Sequence, residues 1–207
     1  MTAPVTRWWW IRHAPVIGFE GVAYGDGDVP CDISDGTRFS RLSAALPKGA
    51  VWVASPLSRA RQTALALGGT PTLEPHLAEQ HFGAWQGRRW EELQDGTGGV
   101  CETFWADPGN SAPPGGESFA QVIARTARVI DRLTEEHSGR DIVAVAHGGT
   151  IRAAVALALG LEATRALAVA IGNLTITRLD HMGGPILSGR GGIWRVNLVN
   201  GDLCGPS

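Results

Sequence analysis

Cysteine is scarce in this sequence, and its placement argues against two classes of protein. The 207 residues include three cysteines, Cys31, Cys101 and Cys204, which are far apart and odd in number. They have neither the paired spacing of a zinc site nor the density of a disulfide framework. This pattern is typical of a reducing compartment, so we expect a cytoplasmic protein.

Long apolar runs and a strong net charge are also missing. No apolar stretch approaches the roughly 20 residues that a membrane helix needs, and the first residues lack the pattern of a signal peptide. The formal net charge of −2 at pH 7 creates no overall field that would attract nucleic acid or an anionic membrane. We therefore expect neither as a partner, and any affinity for anions has to come from a local site.

Short apolar runs, by contrast, recur along the chain. Residues 7–11, 50–54 and 142–146 are largely apolar, which is typical of strands buried on both faces of a parallel sheet. Two later strands are predicted near residues 174–179 and 194–199. Helical patterns separate these runs, and strands that alternate with helices predict an α/β fold.

The predicted architecture has three layers, α/β/α, with a mostly parallel central sheet and helices on both of its faces. Helices are expected over about residues 35–46, 118–133 and 148–159. Residues 79–116 have little periodicity and many Gly, Trp and Pro residues, so we expect a small cap over the C-terminal strand ends. The chain length suits a single domain over residues 1–207.

Two histidines stand where apolar strands end. Arg12-His13 follows the first run, and His147 ends another run and precedes Gly148-Gly149. A lone histidine in this position is more often a core residue, but Arg12 would be costly to bury without an anionic partner. Ligands of such sheets bind beyond the carboxyl ends of the strands, so we expect these side chains to share a site.

Residues 55–64 predict a helix with an anion site at its start. Ser55 is the expected N-cap and Pro56 the first helical residue. Unpaired backbone N–H groups at a helix N-terminus attract anions, and Arg59 could bind two phosphate oxygens from the first turn. Arg61 is interpreted as a solvent-exposed residue of the same helix.

Glu79 precedes a segment of aromatic residues and glycines that includes Phe82, Gly83 and Trp85. A carboxyl group in a partly apolar pocket is suited to donate a proton as a general acid. The alternative is an ordinary surface glutamate, and this motif by itself does not decide between the two.

Taken in order, these segments resemble the histidine phosphatase superfamily, which has the phosphoglycerate-mutase-like fold. Arg12-His13 is similar to the family's Arg-His-Gly motif, with Ala14 in place of the glycine. Residues 55–64 are similar to its Ser-Pro-x-x-Arg-x-x-Gln-Thr-Ala motif, Glu79 leads its Glu-x-x-Phe-Gly-x-Trp segment, and His147-Gly148 matches its second histidine. The resemblance covers about residues 7–180.

The resemblance implies a phosphoric monoester hydrolase that needs no metal and no cofactor. His13 would attack phosphorus through Nε2, while a backbone carbonyl holds its Nδ1–H. Arg12, Arg59 and His147, with Gly148, would bind the phosphoryl oxygens. Glu79 would protonate the leaving oxygen and then activate water. Asp26, Asp28 and Asp32 lack the pattern of a metal-binding loop and are interpreted as turn formers.

The segment after Glu79 favours the phosphatase branch over the mutases, which carry Tyr-Gly and a downstream lysine segment. Here Phe82-Gly83 leads to Arg88-Arg89. A phosphatase acting on protein phosphohistidine would need an open site, which the predicted cap disfavours. A binding module without catalysis is disfavoured because His13 and Glu79 are both present.

The expected partner is a small-molecule phosphate monoester. Phe82-Gly83-x-Trp85 and residues 115–119 and 196–200 resemble the alpha-ribazole phosphatases of cobalamin biosynthesis, and Trp85, Trp90 or Trp105 could stack on a flat base. A broad-specificity phosphatase remains the alternative. Nothing in the sequence indicates an oligomeric state or the roles of Cys31, Tyr24, Arg88 and Arg89.

Overall fold

A computed structural model describes residues 4–94, 100–183 and 193–203, which are organised around a six-stranded sheet. The strands are β1 (Val5–Arg12), β2 (Val51–Ala54), β3 (Thr72–Leu73), β4 (Asp141–Ala146), β5 (Ile176–Met182) and β6 (Trp194–Gly201). They are ordered β3-β2-β4-β1-β5-β6. The first four pair in parallel, whereas β5 is antiparallel to both neighbours. The mostly parallel α/β sheet is thus confirmed. The two-residue edge strand β3 was not predicted from the sequence.

Seven α-helices lie within the described residues. They are α1 (Gly36–Ala45), α2 (Ser58–Ala66), α3 (Trp90–Gln94), α4 (Val100–Ala106), α5 (Phe119–Glu136), α6 (Gly148–Leu159) and α7 (Ala163–Ala166). Four of them, α1, α2, α5 and α6, correspond to predicted helices. Asp35 caps α1 through a bond from Arg38 N–H of 2.9 Å. Ser118 and Gln121 form the capping box of α5, and Gly160, with φ 64°, ends α6 in the left-handed region.

The two faces of the sheet are covered by different helices. Alternate residues of β4 belong to two separate apolar clusters, one shared with α5 and α6 and the other with α1 and α2. On the α5–α6 side, Trp8 and Trp10 are fully buried and stack with ring centroids 5.0 Å apart. These clusters produce the three layers that the sequence predicts.

The start of α2 differs from the prediction. The helix begins at Ser58, three residues after the expected N-cap Ser55. Asp28, from the long loop after β1, accepts a hydrogen bond from Ser58 N–H at 2.7 Å. A carboxylate of the protein therefore already accepts from the first N–H of this helix, and an anion site here would depend on the Arg59 side chain. The Ser55 side chain is used elsewhere, as described below.

Residues 79–116 contribute α3, α4 and a 3₁₀ turn at Gly83–Trp85. Their aromatic side chains form a small cluster of their own, in which Trp85, Leu93 and Phe104 are buried against Ala23. This segment lies next to the carboxyl ends of the strands through Glu79, and it corresponds to the expected cap. None of the helices within the described ranges is long and apolar enough to cross a membrane. That residues 1–207 form a single domain stays a prediction.

Candidate active site

His13 follows β1 directly, and two backbone groups fix it. Its N–H donates to Ala146 O at 3.0 Å, which extends the pairing of β1 with β4 by one residue. Its Nδ1 lies 2.7 Å from Ala14 O. Because a carbonyl oxygen can only accept, Nδ1 carries the ring proton and Nε2 keeps its lone pair. The ring therefore presents Nε2 as a nucleophile.

The surroundings of His13 keep its imidazole neutral. The side chain is almost fully buried, and this burial, together with the charges of Arg59 and Arg12, lowers the pKa of His13 to about 3. The hydrogen bond to Ala14 O acts in the opposite direction but does not compensate. The lone pair is consequently unprotonated throughout the neutral pH range.

Arg59, in the first turn of α2, is fully buried and contacts His13. Its Nε donates to His13 Nε2 at 3.3 Å, and its Nη1 and Nη2 donate to Gly27 O at 2.7 Å and Gly25 O at 2.8 Å. The guanidinium also lies 5.0 Å from the centroid of the Tyr24 ring, on which it stacks. Two of the five guanidinium N–H groups remain for an anionic ligand.

The loop before β5 holds Arg12. Its Nη1 donates to Ile171 O at 2.6 Å, while Asn173 of the same loop donates to His13 O at 2.8 Å. The Nε atom of Arg12 is buried and has no hydrogen-bond partner in the described part of the chain. A buried guanidinium N–H without a partner is costly, so an oxygen of a ligand is the expected acceptor.

His147 ends β4, and Ser55 orients its ring. Ser55 Oγ lies 2.7 Å from His147 Nε2 and accepts from Leu57 N–H at 3.3 Å. The Ser55 hydroxyl can therefore donate to Nε2, which leaves the proton on His147 Nδ1, a buried atom with no partner among the described residues. Burial and the nearby positive groups lower the pKa of His147 well below its usual value, so it acts as a neutral donor.

Glu79 lies at the N-terminus of α6. Its Oε1 accepts from Gln80 N–H at 2.9 Å and from Gly149 N–H at 3.1 Å, and Oε2 is 3.3 Å from the same Gly149 nitrogen. A Cβ at position 149 would overlap the Glu79 carboxylate, so only glycine permits this approach. Gly148, the adjacent residue, borders the side chain of Arg12.

A partly buried ion pair supports the backbone that carries Glu79. Arg125 of α5 binds both carboxylate oxygens of Glu117, at 3.1 and 2.8 Å, and its Nη2 also donates to Glu79 O at 3.1 Å. Glu117 in turn accepts from His81 N–H at 3.1 Å. The position of the Glu79 carboxyl group therefore depends on α5 as well as on α6.

Two adjoining cavities meet at Glu79. One, of about 220 Å³, is mainly polar and is lined by Arg12, Tyr24, Gly25, Gly148 and others. We call it the phosphate cavity. The other, of about 200 Å³, is mainly apolar, and its walls include Phe82, Trp90, Phe104, Trp105 and Phe119. We call it the aromatic cavity. Glu79, Phe82, Trp90 and Arg152 line both.

The structure brings together all of the predicted site residues, namely Arg12, His13, Arg59, Glu79, His147 and Gly148. The sequence did not predict that Ser55 contacts His147 or that Gly149 leaves room for the Glu79 carboxylate. It also did not predict that Arg152 lines the cavities. The glycine pair after His147 was a visible signal for Gly149, whereas Ser55 and Arg152 had none.

Some residues had no predicted role, and three aspartates were interpreted as turn formers. Their partners lie outside the reacting centre. Arg88 and Arg89 form exposed ion pairs with Glu92 and Glu91, at 3.8 and 3.7 Å. Cys31 is buried next to Arg59 O. Of the three aspartates interpreted as turn formers, Asp32 accepts from Ser34 N–H, but Asp26 pairs with His81 and Asp28 caps α2.

Comparison with known proteins identifies the family of this chain. The family model of the histidine phosphatase superfamily, branch 1, matches residues 8–187. The chain belongs to the histidine phosphatase superfamily. This membership confirms the resemblance seen in the sequence and supports the expected enzyme class, a phosphoric monoester hydrolase.

Curated relatives of this chain include a named phosphatase. Glucosyl-3-phosphoglycerate phosphatase of Mycolicibacterium vanbaalenii is 37% identical over 150 residues, which cover 65% of this chain and 66% of that enzyme. The chain spans 44% and 30% of the length of the next curated relatives.

Two solved histidine phosphatase structures resemble the whole described fold. Mycobacterial glucosyl-3-phosphoglycerate phosphatase in complex with VO3 is 28% identical, with a TM-score of 0.76, and covers 94% of this chain and 98% of its own. Alpha-ribazole phosphatase of Shigella flexneri is 22% identical, with a TM-score of 0.78, and covers 97% of this chain and 99% of its own. The second likeness shows the fold alone.

Proposed function

We propose that this protein is a metal-independent phosphomonoester hydrolase that acts through a phosphohistidine on His13. The observation that carries the proposal is the state of the His13 ring, whose Nδ1 proton is bound to Ala14 O and whose Nε2 lone pair is free of protonation. Two buried donors that have no partner among the described residues, Arg12 Nε and His147 Nδ1, belong to the same site. Together they provide a nucleophile and donors for phosphoryl oxygens.

In the first step, His13 Nε2 attacks phosphorus and the ester P–O bond breaks. Arg12, Arg59 and His147 stabilise the charge on the non-bridging oxygens. Glu79 donates a proton to the leaving oxygen, and the alcohol departs. In the second step, Glu79 takes a proton from water, the oxygen of this water attacks phosphorus, and the P–N bond breaks. Inorganic phosphate leaves, and His13 and Glu79 return to their starting states.

The two cavities support a small-molecule substrate. Its phosphoryl group would enter the phosphate cavity, and its organic part would enter the aromatic cavity, with Glu79 between them at the ester oxygen. Alpha-ribazole 5'-phosphate, which would place this enzyme in cobalamin biosynthesis, is one candidate, because aromatic walls suit a flat base. A broad-specificity hydrolase of small monoesters is the alternative.

A mutase of the phosphoglycerate type and a phosphatase of protein phosphohistidine are less well supported. A mutase must keep its phosphoenzyme from water, and a protein substrate would have to reach His13 past α3 and α4. The cytoplasmic location, and the absence of a metal and of a nucleic-acid partner, belong to the same proposal.

The experiment that tests the proposal is mass spectrometry of the protein mixed briefly with p-nitrophenyl phosphate and quenched at alkaline pH, at which phosphohistidine survives. We expect a phosphoryl adduct on His13 that is absent from His13→Ala, which should not turn over. EDTA should leave the rate unchanged. Steady turnover with no adduct, even in a slowed Glu79→Gln variant, would mean direct attack by water and would contradict the covalent mechanism.

A further inference from the structure

Arg152 has a position in the site that the proposed reaction does not use. It lies in the second turn of α6, and its Nε donates to Val169 O at 2.7 Å. This bond fixes one edge of the guanidinium and leaves the edge formed by Nη1 and Nη2 for other contacts. A Cβ at Gly148 would lie 3.3 Å from Arg152 Nη1. The side chain is thus anchored, and it lines both cavities beside Glu79.

The free edge of Arg152 has no acceptor in the part of the chain that the structure describes. Within residues 4–94, 100–183 and 193–203, neither Nη nitrogen makes a hydrogen bond or an ion pair. Partial burial lowers the pKa of this guanidinium, while the charge of Glu79 raises it. When Glu79 carries the proton that the leaving group needs, this compensating charge is gone, and a partly desolvated cation remains without an anion.

The phosphoryl group is not the anion that this position fits best. Arg12, Arg59 and His147 already supply donors to it, and none of these three lines the aromatic cavity. Arg152 does line that cavity, together with Glu79 and Gly149. Because it lines both cavities, its guanidinium can reach the organic part of the leaving group as well as the phosphoryl group. One guanidinium edge with two N–H donors matches one carboxylate, whereas a second phosphate dianion would need more than one cation.

We propose that Arg152 binds a carboxylate of the leaving group, so that the enzyme prefers phosphate esters of hydroxy acids to neutral esters of the same shape. This inference rests on the proposed phosphohydrolase reaction. It selects among the candidate substrates, because a neutral riboside phosphate would leave the Nη edge of Arg152 without a partner.

The test compares phenyl phosphate with 3-carboxyphenyl phosphate, which differ by the carboxylate and have leaving groups of similar basicity. Wild-type kcat/KM should be at least ~10-fold higher for the carboxylated ester, the size expected of a hydrogen-bonded charge pair. Arg152→Met should lose this preference. Its kcat/KM should fall ~10- to 100-fold for the carboxylated ester and less than ~3-fold for phenyl phosphate. Arg152→Lys should keep part of it, and Arg41→Met, an exposed arginine on α1, should keep all of it.

The outcomes separate this inference from the proposed function. Turnover of both esters by the wild type without a preference would overturn the role of Arg152 alone, whereas no turnover of either ester would refute the hydrolase itself. Equal losses on both esters in Arg152→Met, or weaker inhibition by vanadate, would assign Arg152 to the phosphoryl group and overturn the inference. If Arg152→Met does not fold, Arg152→Lys gives the same comparison with a smaller expected change.

Discussion

The two ends of the site are built in different ways. At the phosphate end, Arg12, His13 and His147 follow directly on the central strands β1 and β4, and backbone groups or buried side chains fix each of them. At the other end, the walls come from short helices and turns between residues 79 and 116, and they consist mainly of aromatic side chains. The first end holds its side chains in place through hydrogen bonds, whereas the second mainly provides shape.

This difference indicates that the phosphate end carries out the reaction and that the other end determines substrate selectivity. Groups at the ends of central strands cannot move without disturbing the sheet, so they suit a reaction that every substrate undergoes. Side chains on short connecting segments can change without affecting the sheet, so they suit the part that differs between substrates. Changes at the phosphate end should therefore affect all esters alike, and changes at the other end should depend on the leaving group.

After the complete loss of turnover expected for His13→Ala, the largest effect is expected at Arg59. In the proposed reaction Arg59 donates to the phosphoryl oxygens, so in Arg59→Met kcat/KM should fall roughly 10²- to 10³-fold for every monoester tested, with no dependence on the leaving group. Steady-state kinetics on p-nitrophenyl and phenyl phosphate provide the measurement. Arg61→Met, an exposed arginine two residues later on α2, is the matched control and should be nearly silent. A loss that differs strongly between the two esters would show that Arg59 also acts on the leaving group.

The residues of the phosphate end could be predicted from the sequence because position along the chain determines position in space there. An apolar strand that stops at Arg12-His13 or at His147 brings these residues to the same edge of a parallel sheet. Ser55 shows the limit of this reasoning. Its N-cap pattern is typical, yet Asp28 from a distant loop caps α2, and Ser55 contacts His147 instead.

The other end could not be predicted in the same detail. Arg125 and Arg152 lie on helices whose patterns are equally compatible with a solvent-exposed arginine, and their partners come from segments far away along the chain. The walls of the aromatic cavity depend on how α3 and α4 pack against Phe82 and Phe119. No local pattern encodes such packing, which follows from tertiary contacts between segments without periodicity.

The second-largest effect is expected for substitution of Glu79, which lies where the two ends meet. Glu79→Gln keeps the shape of the side chain but removes the transferable proton, so kcat for phenyl phosphate should fall roughly 10²-fold. For p-nitrophenyl phosphate, whose leaving group needs little protonation, the fall should be below about tenfold. Glu135→Gln on the exposed side of α5 serves as the control. Equal losses on both esters would remove the acid role from Glu79.

A smaller effect of the same kind is expected at Arg125, which acts on Glu79 through the backbone. Arg125→Met removes the donor to Glu79 O and leaves Glu117 unpaired, so phenyl phosphate turnover should fall about tenfold, the scale of one lost charged hydrogen bond. Turnover of p-nitrophenyl phosphate should change much less. Arg125→Lys should restore part of the difference, and Arg128→Met on the same helix should show none. A uniform loss on both esters would indicate a merely structural role.

The smallest expected effect tests the phosphate end in the absence of substrate, through its influence on stability. The pKa of His13 falls from 6.5 to about 3 on folding, so below pH 6.5 the unfolded chain binds a proton that the folded protein does not. The free energy of unfolding must therefore decrease as the pH falls through this range. Between pH 7.5 and 5.5 the contribution of His13 is about 1.4 kcal/mol.

Urea unfolding of the wild type and of His13→Asn at both pH values measures this contribution. On acidification the free energy of unfolding of the wild type should fall by about 1.4 kcal/mol more than that of the variant. Only the wild type contains an imidazole at position 13 whose pKa is lowered on folding. His76→Asn, at an exposed position on the 3₁₀ turn Pro75–Leu77, should behave like the wild type. If wild type and His13→Asn lose the same stability, His13 is not held neutral by burial, and the reacting nitrogen of the phosphate end would be in competition with protons at working pH.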